Sequence, residues 1–315
     1  MAKSDKTQNN GWGGPWTEQK LDCFESYVRA YLTIMNAYRD KYNWKLIYFD
    51  GFAGCGDREQ KKEGEKKTFS IFGEENVTEQ DLNLYQGAAE RVIRLEETMR
   101  GFDFYYFIDK FEDNLTKLEL KLSPYNTKGL KSFRNDDANV QALQLAQFMK
   151  KDAEKKWSPS DPWHFKTLCL LDPFGMSIDW STIEQLAGKS LDLWILVPTG
   201  SIVSRLVQNN GEIRFANTME RFFGLPEDEL KARFYRKETV HDLFGEHEEI
   251  RKVENIIGEI ATLYCEQLGT LFPYVTNEPL VMKNKNNVPI FHFVCASFNQ
   301  TAVKIAKQII DKRQR

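Results

Sequence analysis

The sequence predicts an α/β fold: a mostly parallel sheet covered on both faces, with a terminal antiparallel hairpin strand and a helical insertion. Three observations predict it. Four apolar, β-prone runs recur, Leu46–Asp50, Phe104–Asp109, Leu168–Asp172 and Leu191–Pro198, and the first three end in an acid. Between them, stretches such as Gly87–Met99 and Asn139–Lys150 carry the 3.6-residue apolar period of crossover helices. Strand and helix in alternation mean parallel pairing with helices on both faces. Near the end, Pro279–Met282 and Val288–Ala296 flank Lys283-Asn284-Lys285-Asn286-Asn287, which reads as a hairpin.

Taken in order, residues 1–15 are polar, Gly/Asn-rich and end in Gly-Gly-Pro, so a disordered leader is expected. From Trp16 to about Tyr42, Thr17 is placed to cap a helix whose Leu21, Phe24, Val28, Tyr31, Met35 and Tyr38 fall on one side. The first strand follows. Within 57–83, the block Asp57–Lys67 mixes opposite charges with no apolar anchor, and a mobile insertion is expected. Ser181-Thr182-Ile183-Glu184 has the form of a capping box. Residues 16–198 thus make a core. The charged stretch 199–276, punctuated by Leu225-Pro226, is too long for a loop and is expected to be a helical lid or recognition insertion. Residues 277–315 complete the core with the hairpin and a helix from Thr301 to Lys312.

Composition narrows the function classes. The chain has 315 residues, 41% hydrophobic and 13% aromatic, enough for a full core. Its 43 basic and 46 acidic residues leave a formal charge of −3, so no bulk polycation steers it to nucleic acid, although a local basic patch remains open. The five cysteines, Cys23, Cys55, Cys169, Cys265 and Cys295, lack C-x-x-C spacing, which argues against a disulfide scaffold and a zinc ribbon. No apolar run approaches membrane-spanning length, and a cytoplasmic protein is expected. His164, His241, His247 and His292 show no metal-ligand spacing, and neither a Ser-His-Asp order nor a P-loop occurs. Hydrolase and phosphotransferase chemistry are therefore poor readings.

The turn after the first strand carries the clearest signal. Asp50-Gly51-Phe52-Ala53-Gly54-Cys55-Gly56 resembles motif I of class I S-adenosylmethionine (SAM)-dependent methyltransferases more than the G-x-G-x-x-G of hydride-transfer enzymes. Its glycines allow a tight turn and a close backbone approach to a ligand. An antiparallel last strand inserted into a parallel sheet is also characteristic of that class. Asp50 suits the ammonium of a methionine tail, and the backbone from Phe52 to Gly56 approaches the cofactor. Asp109, 59 residues on, suits a ribose diol; the usual spacing is about 20, and the 57–83 insertion accounts for the excess. Asp137 suits the adenine amine, with Ala138 supplying a backbone donor. Each acid has a plainer reading as a turn or cap residue.

Asp172-Pro173-Phe174-Gly175 stands where amino-methyltransferases carry Asp/Asn-Pro-Pro-aromatic, with the aromatic shifted by one register. Asp172 and the Pro173 carbonyl are the candidates for holding a target amine, and Phe174 for stacking on an extruded base. A simple turn is the alternative.

The ordered set Trp16-Thr17-x-x-Lys20-Leu21, Asp50-Gly51-Phe52-Ala53-Gly54, Gly87-Ala88-Ala89, Phe107-Ile108-Asp109-Lys110, Asp136-Asp137-Ala138-Asn139, Leu171-Asp172-Pro173-Phe174-Gly175 and Ile290–Ser297 resembles the three-Cys-motif partner family, bacterial and phage proteins encoded beside a cysteine-motif protein. The resemblance spans nearly the whole chain. It implies a class I SAM-dependent methyltransferase-like fold, SAM as cofactor and a cysteine-motif partner, and says little of substrate. Cys55 departs from a frequent Pro, and Gly87-Ala88-Ala89 from a Gly-Ser-Pro-like element. Three functions stay open: methylation of a nucleic-acid base, methylation of a small molecule or protein, and a non-catalytic SAM- or partner-binding subunit. Arg205, Arg214, Arg221 or Arg233 facing Asp172 would favour the first.

Overall fold

The computed structural model describes residues 15–55, 87–156, 158, 162–173, 175–188, 190–242, 245–284 and 286–314. The leader short of Pro15, the 57–83 insertion, Gly56 and Phe174 lie outside the described residues.

The chain opens with α1 (Pro15–Tyr38) and β1 (Trp44–Asp50). Helix α1 starts before Thr17, which therefore lies inside it rather than capping it; Pro15 fits the first turn because that turn needs no N–H from it. Next come α2 (Ala88–Arg94), β2 (Phe104–Asp109), α3 (Glu112–Leu122), β3 (Leu130–Asn135), α4 (Ala138–Glu154), β4 (His164–Leu171), α5 (Trp180–Leu186) and β5 (Leu191–Pro198). Strand β3, Leu-Lys-Ser-Phe-Arg-Asn, is not among the apolar runs because it is an edge strand with its ends exposed. Helix α5 begins at Trp180 with Asp179 at its N-cap, so Ser181 is not a cap as the capping-box reading expects; the Asp179 carboxylate goes instead to Arg221, at 2.6 Å.

The sheet order is β3-β2-β1-β4-β5-β10, with β1 to β5 parallel and β10 (Pro289–Ser297) antiparallel to β5. Beyond β10 lie two short antiparallel pieces, β8 (Tyr274–Val275) and β9 (Leu280–Lys283). This is a mixed α/β fold, a mostly parallel sheet closed at one side by antiparallel strands. Side chains alternate across it. Leu46 and Tyr48 join the core under α1, α2, α3 and the final helix α10 (Gln300–Gln314), whereas Ile47 and Phe49 join the core under α4 and α5.

Between β5 and β8 the chain adds a short turn α6 (Ser201–Ser204), then α7 (Ala216–Phe223), α8 (Glu227–Phe234) and α9 (Ile256–Leu271), which pack Phe222, Phe223, Phe234 and Tyr264 together on the second core. Pro226 opens α8. The stretch is not wholly helical: β6 (Tyr235–Asp242) and β7 (Gly245–Lys252) pair as a separate antiparallel hairpin, bringing His247 opposite Val240. Strand β7 is almost wholly exposed, so no apolar period announces the hairpin. Ion pairs such as Arg251–Glu238 at 3.2 Å run between its strands.

Candidate cofactor and active site

Strand order reverses at β1: the chain goes outward to β2 and β3 on one side, then returns to β4 and β5 on the other. In such sheets ligands bind outside the carboxyl ends of the strands at the reversal. Asp50 ends β1 and Asp172 follows β4, so the two flank that crevice.

The glycine turn sits on top of it. Gly51 N–H donates to the Leu170 carbonyl at 3.0 Å and Ala53 N–H to the Ile108 carbonyl at 2.8 Å, so the turn is tied to both neighbouring strands. A Cβ on Gly51 would stand 2.7 Å from Leu171 Cδ2, and Gly54 has φ of +62°, a conformation glycine adopts without strain. Asp50 is buried; its Oδ1 accepts from Phe52 N–H at 3.2 Å and its Oδ2 from the Tyr48 hydroxyl at 3.1 Å. Burial, above all, pushes its carboxyl up to about 7, and the nearby Asp172 charge adds to the rise.

Asp172 is equally buried, and its Oδ2 meets the buried ammonium of Lys20 from α1. Its Oδ1 has no hydrogen-bond partner among the described residues. Desolvation raises the Asp172 carboxyl, and Lys20 opposes that rise. Pro173 is buried beside it, and Gly175 closes the turn with φ of +59°.

Asp109 has a different setting. Its Oδ2 accepts from Gly54 N–H at 3.0 Å, and its Oδ1 from Phe111 N–H at 2.8 Å and Asn114 Nδ2 at 3.1 Å. It is a strut that holds the glycine turn against β2. A carboxylate has about four lone-pair sites, so three donors leave one acceptor for a ligand. Its carboxyl is raised by burial against the pull of those donors. Asp137 caps α4 by accepting from Asn139 N–H at 2.8 Å, and Ala138 is the first residue of that helix.

Hydrogen bonds thus join Asp50 to Phe52 and Asp109 to Gly54, and Gly51 and Ala53 tie the same turn to the flanking strands, with Asp172 across the reversal point. Sequence reasoning did not assign Lys20 or Tyr48 to the site. Lys20 carried one signal: it lies four residues before Phe24, on the apolar side of α1, where a lysine needs a buried partner. Of the arginines considered, Arg221 pairs with Asp179 and Arg233 with Glu259 and Glu266. Among the described residues no cluster of His, Cys, Asp and Glu is fit to hold a metal, and no helix is long and apolar enough to cross a membrane.

Among the described residues the donor set suits a cationic ligand with hydroxyl donors: Asp50, Asp109 and Asp172 stand at the ends of neighbouring strands, Lys20 offsets one of them, and one buried carboxylate oxygen lacks a donor. No family model matches the chain, and no curated protein matches it. Among solved structures, one similar fold is a S-adenosylmethionine-dependent methyltransferase from Clostridium acetobutylicum ATCC 824, 10% identical with a TM-score of 0.31, the match covering 89% of this chain and 92% of that one.

Proposed function

We propose that the chain is a SAM-dependent methyltransferase acting on an exocyclic amine of a nucleic-acid base. The observation that carries this reading is the buried, donorless Oδ1 of Asp172, beside the Asp50-to-Gly54 turn at the reversal of a methyltransferase-type sheet. An amine is the kind of group that would satisfy that oxygen. SAM would supply an electrophilic methyl on a sulfonium.

The chain's own residues then have separable tasks. Asp50, directly or through water, takes the ammonium of the methionine tail, and the Phe52–Gly56 backbone lies along the cofactor. Asp109 gives its remaining acceptor site to the ribose diol. Asp137 and the Ala138 N–H face the adenine. Asp172 and the Pro173 carbonyl orient the target amine, with Phe174 stacking on its base. Orientation is the main contribution, because in-line methyl transfer from a sulfonium needs alignment more than a strong base. Lys20 opposes the rise that burial imposes on the Asp172 carboxyl.

Isothermal titration with SAM should show micromolar binding, about −8 kcal/mol, weakened at least tenfold in Asp109→Ala. Asp172→Ala should keep SAM affinity within a few-fold and lose most transfer of labelled methyl to total RNA or DNA. Wild-type binding of SAM with no transfer to any nucleic acid, protein or small-molecule fraction would favour a non-catalytic subunit that works with a cysteine-motif partner.

A further inference from the structure

The end of the sheet remote from Asp50 has a surface of another kind. Three segments meet there: the turn from α1 into β1, the start of β4, and the last turn of α4. Tyr42 and Trp44 stack with ring centroids 5.0 Å apart, and Tyr38 extends the row at 6.3 Å from Tyr42. Lysines interleave with the rings: Lys41 lies over Tyr42 at 5.2 Å, Lys166 over Trp44 at 5.2 Å and Lys45 over Trp163 at 4.3 Å. Three of the rings stand clear of the core, Tyr38 at 47% exposed, Tyr42 at 46% and Trp163 at 37%, while Trp44 is half-buried and anchors the row on the core.

Charge at this end is unbalanced toward the positive. Asp40 is engaged by Arg100 at 2.8 Å, Asp103 by Arg39 and Lys45, and the buried Asp152 by Lys155 at 3.5 Å. Glu154 is an exposed carboxylate on α4. Against these, Lys41, Lys150, Lys151 and Lys156 are exposed and Lys166 is half-buried, and none has an ion-pair partner among the described residues. A chain with a formal charge of −3 thus concentrates unpaired lysines around exposed aromatic rings.

We propose that this end of the sheet is a docking surface for single-stranded nucleic acid. Flat exposed rings give sequence-tolerant stacking for unpaired bases, and the lysines around them neutralise phosphates. A duplex hides its base faces and offers only the charge. The surface lies one strand length, about 20 Å by the rise of β1, from Asp50. It would tether a strand while a different part of it reaches the crevice. Binding here needs neither SAM nor methyl transfer, so it stands or falls independently of the function proposed above.

The test is fluorescence anisotropy on the full chain without cofactor, using fluorescein-labelled oligo-dT and oligo-U of about twenty nucleotides, long enough for the usual site sizes, with a duplex of the same length as comparison. Expected are binding to both single strands, at least tenfold preference over the duplex, and a loss of affinity with salt whose slope reflects two or three phosphates. Tyr42→Ala with Trp163→Ala should weaken binding at least tenfold, and Lys41→Glu with Lys150→Glu should weaken it and flatten the salt slope. All four positions are exposed, and unchanged thermal unfolding verifies that each variant is folded. Absence of binding, equal affinity for duplex, or wild-type affinity in both pairs of variants would overturn the proposal, as would equally tight binding to phosphatidylserine vesicles.

Discussion

Helix α1 carries a buried cation to each end of the sheet, and the two ion pairs differ in what they leave over. At the amino end of the strands, Arg39, just past the end of the helix, meets Asp103, gives a second bond to the Gly101 carbonyl at 2.9 Å and a third to Asn36 at 3.1 Å. Asp103 is used up, accepting from Leu46 N–H at 2.8 Å and pairing with Lys45 at 3.3 Å, whereas the buried Arg39 Nε has no acceptor among the described residues, so this pair leaves over a donor rather than an acceptor. At the carboxyl end, Lys20 meets Asp172, and the other oxygen of that carboxylate has no donor. The first pair is woven into backbone hydrogen bonds and serves the fold. The second leaves a desolvated acceptor at the sheet's reversal point, a cost to stability that the ligand proposed above would relieve.

The largest effects should come from taking each pair apart. Arg39→Met leaves Asp103 short of its cation and Gly101 O without a donor, and should cost about 3–5 kcal/mol of unfolding free energy. Adding Asp103→Leu should not restore it, because Leu46 N–H then loses its acceptor too. Lys20→Met should also be costly, but Lys20→Met with Asp172→Leu should recover to within about 1 kcal/mol of the wild type or exceed it, since an apolar pair can replace a buried ionic one. That double variant should lose methyl transfer while still binding SAM. Equal rescue in both double variants, read by urea unfolding, would erase the distinction between the two pairs.

A smaller effect at the carboxyl end depends on pH. Burial raises the folded Asp50 carboxyl to about 7 from its ordinary value of about 4, so between those values the folded chain holds a proton that the unfolded chain releases. Its contribution to stability is full below about 4 and is lost as pH rises through about 7, with a slope of up to ~1.4 kcal/mol per unit. Buried His292, lowered to about 4 and hydrogen-bonded to Thr199 at 2.7 Å, acts in the opposite sense over much of that range. The informative quantity is therefore the difference between wild type and Asp50→Asn, which should shrink the loss of stability from pH 5 to 7. An unchanged pH profile would mean that Asp50 is ionised in the folded chain throughout.

These contrasts also mark what the chain disclosed before its structure was seen. The parallel strands were legible because Leu46–Asp50 and Leu191–Pro198 are buried on both faces and Phe104–Asp109 is buried on one and partly covered on the other, so all three read as apolar runs. Strand β3 and the 235–252 hairpin were not, since an edge strand and a solvent-facing ribbon have no apolar face to repeat. In the site, Asp50, Asp109 and Asp172 were legible as acids that end strands. The pairing of Lys20 with Asp172, 152 residues apart, depends on how α1 crosses the sheet, which no local pattern encodes. The same holds for the aromatic surface, whose rings come from two separate segments and whose lysines include a third.

The smallest effect concerns Asp137, whose two readings predict different things. As the N-cap of α4 it supplies one oxygen to Asn139 N–H. Asn and Asp cap about equally well, so Asp137→Asn should hold stability within a few tenths of a kcal/mol, whereas Asp137→Ala should cost about 1 kcal/mol. As an adenine acceptor it must offer its second oxygen to an amine. Asn would then present its own NH2 there once its oxygen is turned to the cap, two donors would face each other, and SAM affinity should fall several-fold in a variant that unfolds like the wild type. If titration instead gives Asp137→Asn the wild-type affinity, Asp137 is a cap and nothing more, and the adenine must be read by the backbone at Ala138.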